Sequence, residues 1–186
     1  MIYMIRHAES VSNAGARTSS HGGAVLSEDG KKQALALAEK LNFQPDLIVV
    51  SPFVRTQQTA APLLEKYPET SVEIWPVQEF SFLDAEHCNN TTQEERLPWV
   101  EAYFARNDPD YVDGRDAESF NQMLSRVDDM LTRLRKLRKR NVVVFSHGNF
   151  MRAVMLRLHK LSPELPVFEQ QPVWENTAVF DLTPYL

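Results

Sequence analysis

The sequence predicts an α/β fold: a three-layer sandwich with a largely parallel central sheet, helices on both faces and a small insertion over the C-terminal ends of the strands. Short, β-branched apolar runs alternate with longer segments of helical period, the rhythm of a sheet covered on both sides. Two of the runs, LIVV at 47–50 and VVVF at 142–145, are apolar at every position, as parallel strands buried on both faces are. Between about 80 and 118 the rhythm lapses into polar sequence rich in Asn, Asp and Glu and interrupted by Pro98 and Pro109, which marks the insertion.

Taken in order, strands are expected at 2–5, 47–50, 72–75, 142–145 and 178–182. From Ser27 to Leu41 the residues Ala34, Leu37, Ala38 and Leu41 fall on one helical face, and Ser27 is placed to cap the first turn. A longer amphipathic helix begins at Phe120, with Met123, Leu124, Val127, Met130, Leu131 and Leu134 at the same period. The aromatic residues of the insertion, Phe80, Phe82, Trp99, Tyr103, Phe104 and Tyr111, are expected to pack it onto the body. The basic run RLRKLRKR from Arg133 to Arg140 reads as cations complementing the carbonyl end of a helix and solvating its outer face.

With 43% hydrophobic residues in 186, the chain can bury one good core, so a single domain over 1–186 is expected. A net charge of -5 argues against a general nucleic-acid binder, and any anion must be gripped locally. No run approaches the length of a membrane span. One cysteine, Cys88, makes no internal disulfide, and no charged-then-apolar leader precedes the first strand, so a cytoplasmic address is expected. The Asn89-Asn90-Thr91 and Asn90-Thr91-Thr92 triplets match a glycosylation pattern, which without such a leader reads as chance.

Chemistry gathers where strands end. The first strand exits into Arg6-His7, the second into Ser51-Pro52 and then Arg55, and the VVVF strand into Ser146-His147-Gly148. If the three are parallel, two histidines and two arginines converge in the crevice beyond the strand ends. Guanidinium forks suit phosphate oxygens, and imidazole can donate hydrogen bonds or act as a nucleophile, so the set fits a phosphoryl group. A metal is not expected there, because flanking arginines repel it. A leaving alcohol needs a proton, and a carboxylic acid in the pocket would supply it.

Four stretches, met in order, then resemble one family. RHAESVSN resembles the R-H-G-E-[ST]-x-x-N signature of the histidine phosphatase superfamily, the phosphoglycerate-mutase-like proteins. LSEDGKKQA (26–34), SPFVRTQQTA (51–60) and FSHGNFMRAV (145–154) are similar to its later segments. The resemblance implies that His7 is a nucleophile carrying a transient phosphohistidine, and that Arg6, Arg55 and His147 hold the phosphoryl oxygens. Asn13 and Gly148 would join the substrate-binding set, and no cofactor is implied. The family's acid follows a mid-chain strand, where Glu79 stands, with Asp84 and Glu86 as alternatives. Ala8 replaces the commoner glycine, which implies that the backbone there need not take positive φ.

The function expected is a metal-independent phosphatase acting on a small phosphomonoester. The alternatives are a phosphoglycerate mutase, a protein phosphohistidine phosphatase or a non-catalytic phospho-ligand module. Mutases resembling this chain are generally longer, and loss of a histidine would mark a binding module, whereas both histidines are present. Arg17 and His21, in a loop, are placed as candidates for a second anionic group, although solvated positions suit them as well. His87 and His159 receive no role. The sequence leaves the substrate and the oligomeric state open.

Overall fold

The computed structural model describes residues 1–186. Five strands form one sheet: β1 (Ile2–Arg6), β2 (Leu47–Val50), β3 (Ser71–Ile74), β4 (Val142–Ser146) and β5 (Val179–Asp181), in the order β3-β2-β4-β1-β5. The pairs β1–β4, β4–β2 and β2–β3 are parallel, while β5 runs antiparallel to β1 at one edge. The expected α/β class and largely parallel sheet are therefore observed. Strand β3 begins and ends one residue earlier than the apolar pattern suggested. It is the other edge strand, with Val72 and Ile74 exposed, and the buried Trp75 lies just past it.

Alternation along the strands sorts the core onto two faces. Ile2, Met4, Leu47, Val49, Val142 and Val144 pack on one side, beneath α4 (Phe120–Lys136) and α5 (Gly148–Leu158). Ile5, Ile48, Val50, Val143 and Phe145 pack on the other, beneath α1 (Glu28–Lys40) and α2 (Val54–Lys66). On α4 the buried residues are Phe120, Met123, Leu124, Val127, Met130, Leu131 and Leu134, the stripe that the period predicts. Ser27 caps α1 by accepting from Gly30 N–H at 2.9 Å. Arg133, Arg135 and Lys136 occupy the last turn of α4, and Arg133 lies over the Trp75 ring at 3.7 Å.

The 80–118 segment holds a helix that its composition concealed, α3 (Gln93–Ala105), which runs through Pro98. Thr92 and Glu95 form a reciprocal capping box at its start, which offsets part of what the proline costs. Only Tyr103 of this helix is buried, so no apolar stripe announces it. Phe80, Phe82, Tyr103 and Phe104 form an aromatic cluster that reaches Phe120 of α4 and Phe168 of a short helix, α6 (Leu165–Glu169). This is the packing expected of those aromatic residues, apart from Trp99, which is partly exposed beside His87. No helix is long and apolar enough to cross a membrane.

Candidate active site

Because β2, β4 and β1 are neighbours in that order, their C-terminal ends stand side by side. Arg6 is in register with Ser146, and His7 N–H donates to the Ser146 carbonyl at 2.9 Å, so the two histidine segments leave the sheet together. They open onto a cavity of about 510 Å³ whose lining includes Arg6, His7, Asn13, His21, Arg55 and Glu79.

His7 is held in one tautomer. Its Nδ1 lies 2.7 Å from the Ala8 carbonyl, an acceptor only, so Nδ1 carries the proton and donates it there. Nε2 is left with a lone pair, which accepts from Arg55 Nε–H at 3.2 Å. Burial, and then the Arg55 guanidinium, hold the His7 pKa down to about 3. The ring is thus neutral at pH 7, with its nucleophilic nitrogen toward the arginine.

Arg55 stands in the first turn of α2, over the Phe53 ring, and donates Nη1–H to the His21 carbonyl at 2.9 Å. Burial lowers its pKa to about 10, which leaves it charged at neutral pH. Arg6 donates to the Trp174 carbonyl, while its buried Nε has no partner. Gly148, the first residue of α5, lies against the Arg6 guanidinium, where a Cβ would sit at van der Waals contact, 3.4 Å from that Nε. His147 does not line the cavity; it is fully buried behind His7, with ring centroids 5.0 Å apart. Its Nε2 meets Ser51 Oγ at 2.8 Å, its Nδ1 has no partner, and burial puts its pKa well below the usual imidazole range.

The motif residues outside the cavity brace the segment that carries His7. Thr59 Oγ1 accepts from Ala8 N–H at 3.0 Å, Gln33 Oε1 from Glu9 N–H at 2.9 Å, and Gln58 Oε1 from Leu26 N–H at 2.8 Å. Gly30 is required by contact: a Cβ there would stand 1.9 Å from the Glu9 carbonyl oxygen. Ala8 is fully buried and does not have positive φ, in agreement with the reading of that substitution.

Glu79 follows β3 and lines the cavity. Its Oε1 accepts from the backbone N–H groups of Asn149 at 3.0 Å, Phe150 at 3.3 Å and Phe80 at 3.0 Å. The N-terminus of α5 therefore anchors one carboxylate oxygen and leaves Oε2 for other work. Asn13 spends Oδ1 inside a turn, accepting from Ser10 N–H at 3.2 Å and Ser10 Oγ–H at 3.0 Å, and its Nδ2 is left for the cavity.

The alternatives to Glu79 stand elsewhere. Asp84 accepts from the N–H groups of Glu86 at 2.7 Å, His87 at 3.3 Å and Arg115 at 3.0 Å, and neither Asp84 nor Glu86 lines the cavity. Arg17 is turned outward onto Glu95 and the Asn90 carbonyl, neutralised and exposed. His21 does line the cavity, with Nε2 donating to the Leu83 carbonyl at 3.1 Å, and burial lowers its pKa.

Several cavity residues were not singled out in the sequence. Arg96 reaches the lining from α3, a helix that carries no motif, and Arg152 reaches it from α5. Arg96 donates to Thr18 Oγ1 and Thr91 Oγ1, each at 2.7 Å, and Arg152 to Asn149 Oδ1 at 3.2 Å; neither forms a salt bridge. Trp174 lines the cavity with an unpartnered Nε1–H, and Asn176 Nδ2–H donates to the His7 carbonyl at 2.9 Å. The FSHGNFMRAV motif does contain Arg152, which was the only available pointer to it.

The histidine phosphatase superfamily (branch 1) model matches residues 2–184. Phosphoserine phosphatase 1 of Hydrogenobacter thermophilus is 32% identical over 163 residues, 84% of this chain and 75% of that protein. A metal-independent phosphoserine phosphatase of Arabidopsis thaliana is 29% identical over 168 residues, 87% of this chain and 69% of its own length. Among solved structures, the mycobacterial glucosyl-3-phosphoglycerate phosphatase in complex with VO3 superimposes with a TM-score of 0.76 at 26% identity, covering 96% of this chain and 88% of that one. With its sheet, its paired histidine exits and a family match over nearly its whole length, the chain belongs to the histidine phosphatase superfamily.

Proposed function

We propose that this chain is a metal-independent phosphatase that hydrolyses small phosphomonoesters through a phosphohistidine on His7. The observation that carries the reading is the fixed His7 tautomer: a neutral ring whose Nε2 lone pair points at Arg55 on the cavity wall. A phosphoryl group entering there takes the Arg55 N–H groups as its own partners and frees Nε2 to attack phosphorus. Arg6 and Asn13 Nδ2 add donors to the equatorial oxygens, where charge gathers in the transition state. His147 acts from beneath: in the tautomer whose Nε2 accepts from Ser51 Oγ–H, Nδ1 carries the proton and supplies it as a hydrogen bond when the site fills.

In the first step the Nε2–P bond forms as the P–O bond to the leaving alcohol breaks, and Glu79 acts as the general acid, passing a proton through Oε2 to the departing oxygen. In the second, Glu79 takes a proton from water as that water attacks phosphorus, the N–P bond breaks, and phosphate leaves with His7 again neutral. Arg96 and Arg152, cations without carboxylate partners, and the half-buried His21 take the place in this reading that Arg17 had. A leaving group with a second acidic function, such as the one phosphoserine carries, would meet them. The cytoplasmic address goes with the proposal, since Cys88 is free and buried and the fold asks for no oxidising compartment.

The test is chemical. Wild type quenched during turnover should hold acid-labile, alkali-stable phosphate, and His7→Ala should fold without turnover or label. Full activity in His7→Ala, or label stable to acid, rejects the reading. Incubation with 3-phosphoglycerate, with and without a bisphosphoglycerate primer, should release free phosphate, and efficient isomerisation without phosphate release would establish a mutase instead.

A further inference from the structure

The segment that carries Glu79 has no regular secondary structure of its own, yet its backbone is bound residue by residue. Arg126 of α4 reaches back and donates Nη1–H to the Pro76 carbonyl at 2.7 Å and to the Gln78 carbonyl at 3.2 Å. Its Nε donates to Glu118 Oε2 at 2.9 Å and its Nη2 to Glu118 Oε1, a bidentate pair largely shielded from water. Glu118 in turn binds the far side of the same segment: Oε1 accepts from Ser81 N–H at 3.2 Å, and its own N–H donates to the Ser81 carbonyl at 2.9 Å. Between them, Ser146 Oγ–H donates to the Val77 carbonyl at 2.7 Å. Arg126 is packed over the Phe150 ring, next to the N–H groups that hold Glu79 Oε1.

An ion pair placed only for stability could bond to any nearby side chain. This pair spends its remaining donors and acceptors on residues 76, 78 and 81, which flank position 79 on both sides. Rotation of the Glu79 backbone would break several of these bonds together. We infer that Arg126 and Glu118 are positioning residues that aim the Glu79 carboxylate at the leaving oxygen, and the inference rests on the reading of Glu79 as the acid.

A displaced acid harms only reactions that need one, and this gives the test a readout that lost stability does not move. The quantity is the ratio of kcat/KM for phosphoserine to kcat/KM for p-nitrophenyl phosphate, whose leaving group needs no proton. Both rates are measured on one sample, so any unfolded fraction cancels. Arg126→Lys keeps the charge but loses the fork, and Glu118→Gln keeps an acceptor for Ser81 N–H but loses the charge. Each should lower the ratio by at least tenfold, and a displacement near 1 Å would bring the loss to about 10²-fold. In a Glu79→Gln background the same changes should leave the ratio unaltered within about twofold.

Equal losses on both substrates would make the pair merely structural and overturn the inference, as would full additivity with Glu79→Gln. If Glu79→Gln alone leaves the ratio unchanged, the acid assignment falls and the positioning role falls with it. A Glu79→Gln effect without an Arg126→Lys effect overturns the positioning role alone.

Discussion

Acid should weaken this protein through the histidine that makes it a nucleophile. Folded, His7 has a pKa of about 3, while an imidazole in the unfolded chain takes its proton near the ordinary 6.5. Between these values the unfolded state binds a proton that the folded state refuses, so stability falls as pH drops through the window and is fully present only above it. At about pH 4.5 the unfolded form has gained roughly 2 units of protonation free energy and the folded form almost none. At about 1.4 kcal/mol per unit, the loss is roughly 3 kcal/mol. His147 shifts in the same direction and its ring stands 5.0 Å away, so wild type alone would report both. The comparison is therefore with His7→Gln, whose amide does not titrate. Urea unfolding from about pH 7.5 to about pH 4.5 should show wild type losing roughly 3 kcal/mol more than the variant, with unchanged m-values. Parallel curves, or a steeper loss in the variant, would refute the account of a buried, neutral His7. The same value predicts that kcat/KM shows no acid limb from this residue above about pH 4.5.

Two further outcomes follow from the site. Glu79→Gln should slow turnover of alkyl phosphomonoesters by roughly 10² to 10⁴, and with p-nitrophenyl phosphate it should let phosphohistidine accumulate, because the attacking water has lost its base; quench-and-trap assays read both. Arg55→Ala removes the guanidinium that meets His7 Nε2 and should cost on the order of 3 kcal/mol in kcat/KM, by analogy with removal of one oxyanion donor. A loss below threefold would place Arg55 outside the reaction, and dependence of wild-type turnover on added divalent metal after exhaustive EDTA treatment would reject the metal-free scheme.

Periodic features are legible in a sequence because they repeat. The stripes on α1 and α4, the Ser27 cap and the apolar runs of β2 and β4 all follow from local geometry, and each is observed. Helix α2 had no such signal, since its buried face includes Arg55, Thr56 and Thr59, polar residues whose burial depends on distant partners. Helix α3 had none either, with one buried residue and a proline inside. The edge strand β3 slipped by one residue because Trp75, the one buried residue of the pattern, packs beyond the last ladder pair.

What the sequence determined by itself is which side chains stand at the C-terminal edge of the sheet: Arg6 ends β1, His7 and His147 follow directly on β1 and β4, and Arg55 comes in the first turn after β2. What only the tertiary structure decided is how they meet. The strand order makes the exits neighbours, the Ala8 carbonyl selects the His7 tautomer, and His147 ends behind His7 rather than in the cavity wall. Arg17 is lost to Glu95 across 78 positions, and Arg126 takes hold of Pro76 across 50. Contacts at such separations leave no periodic trace in the chain. Their energies depend on burial and on the geometry of two groups at once, and both exist only after the sheet has brought distant segments together.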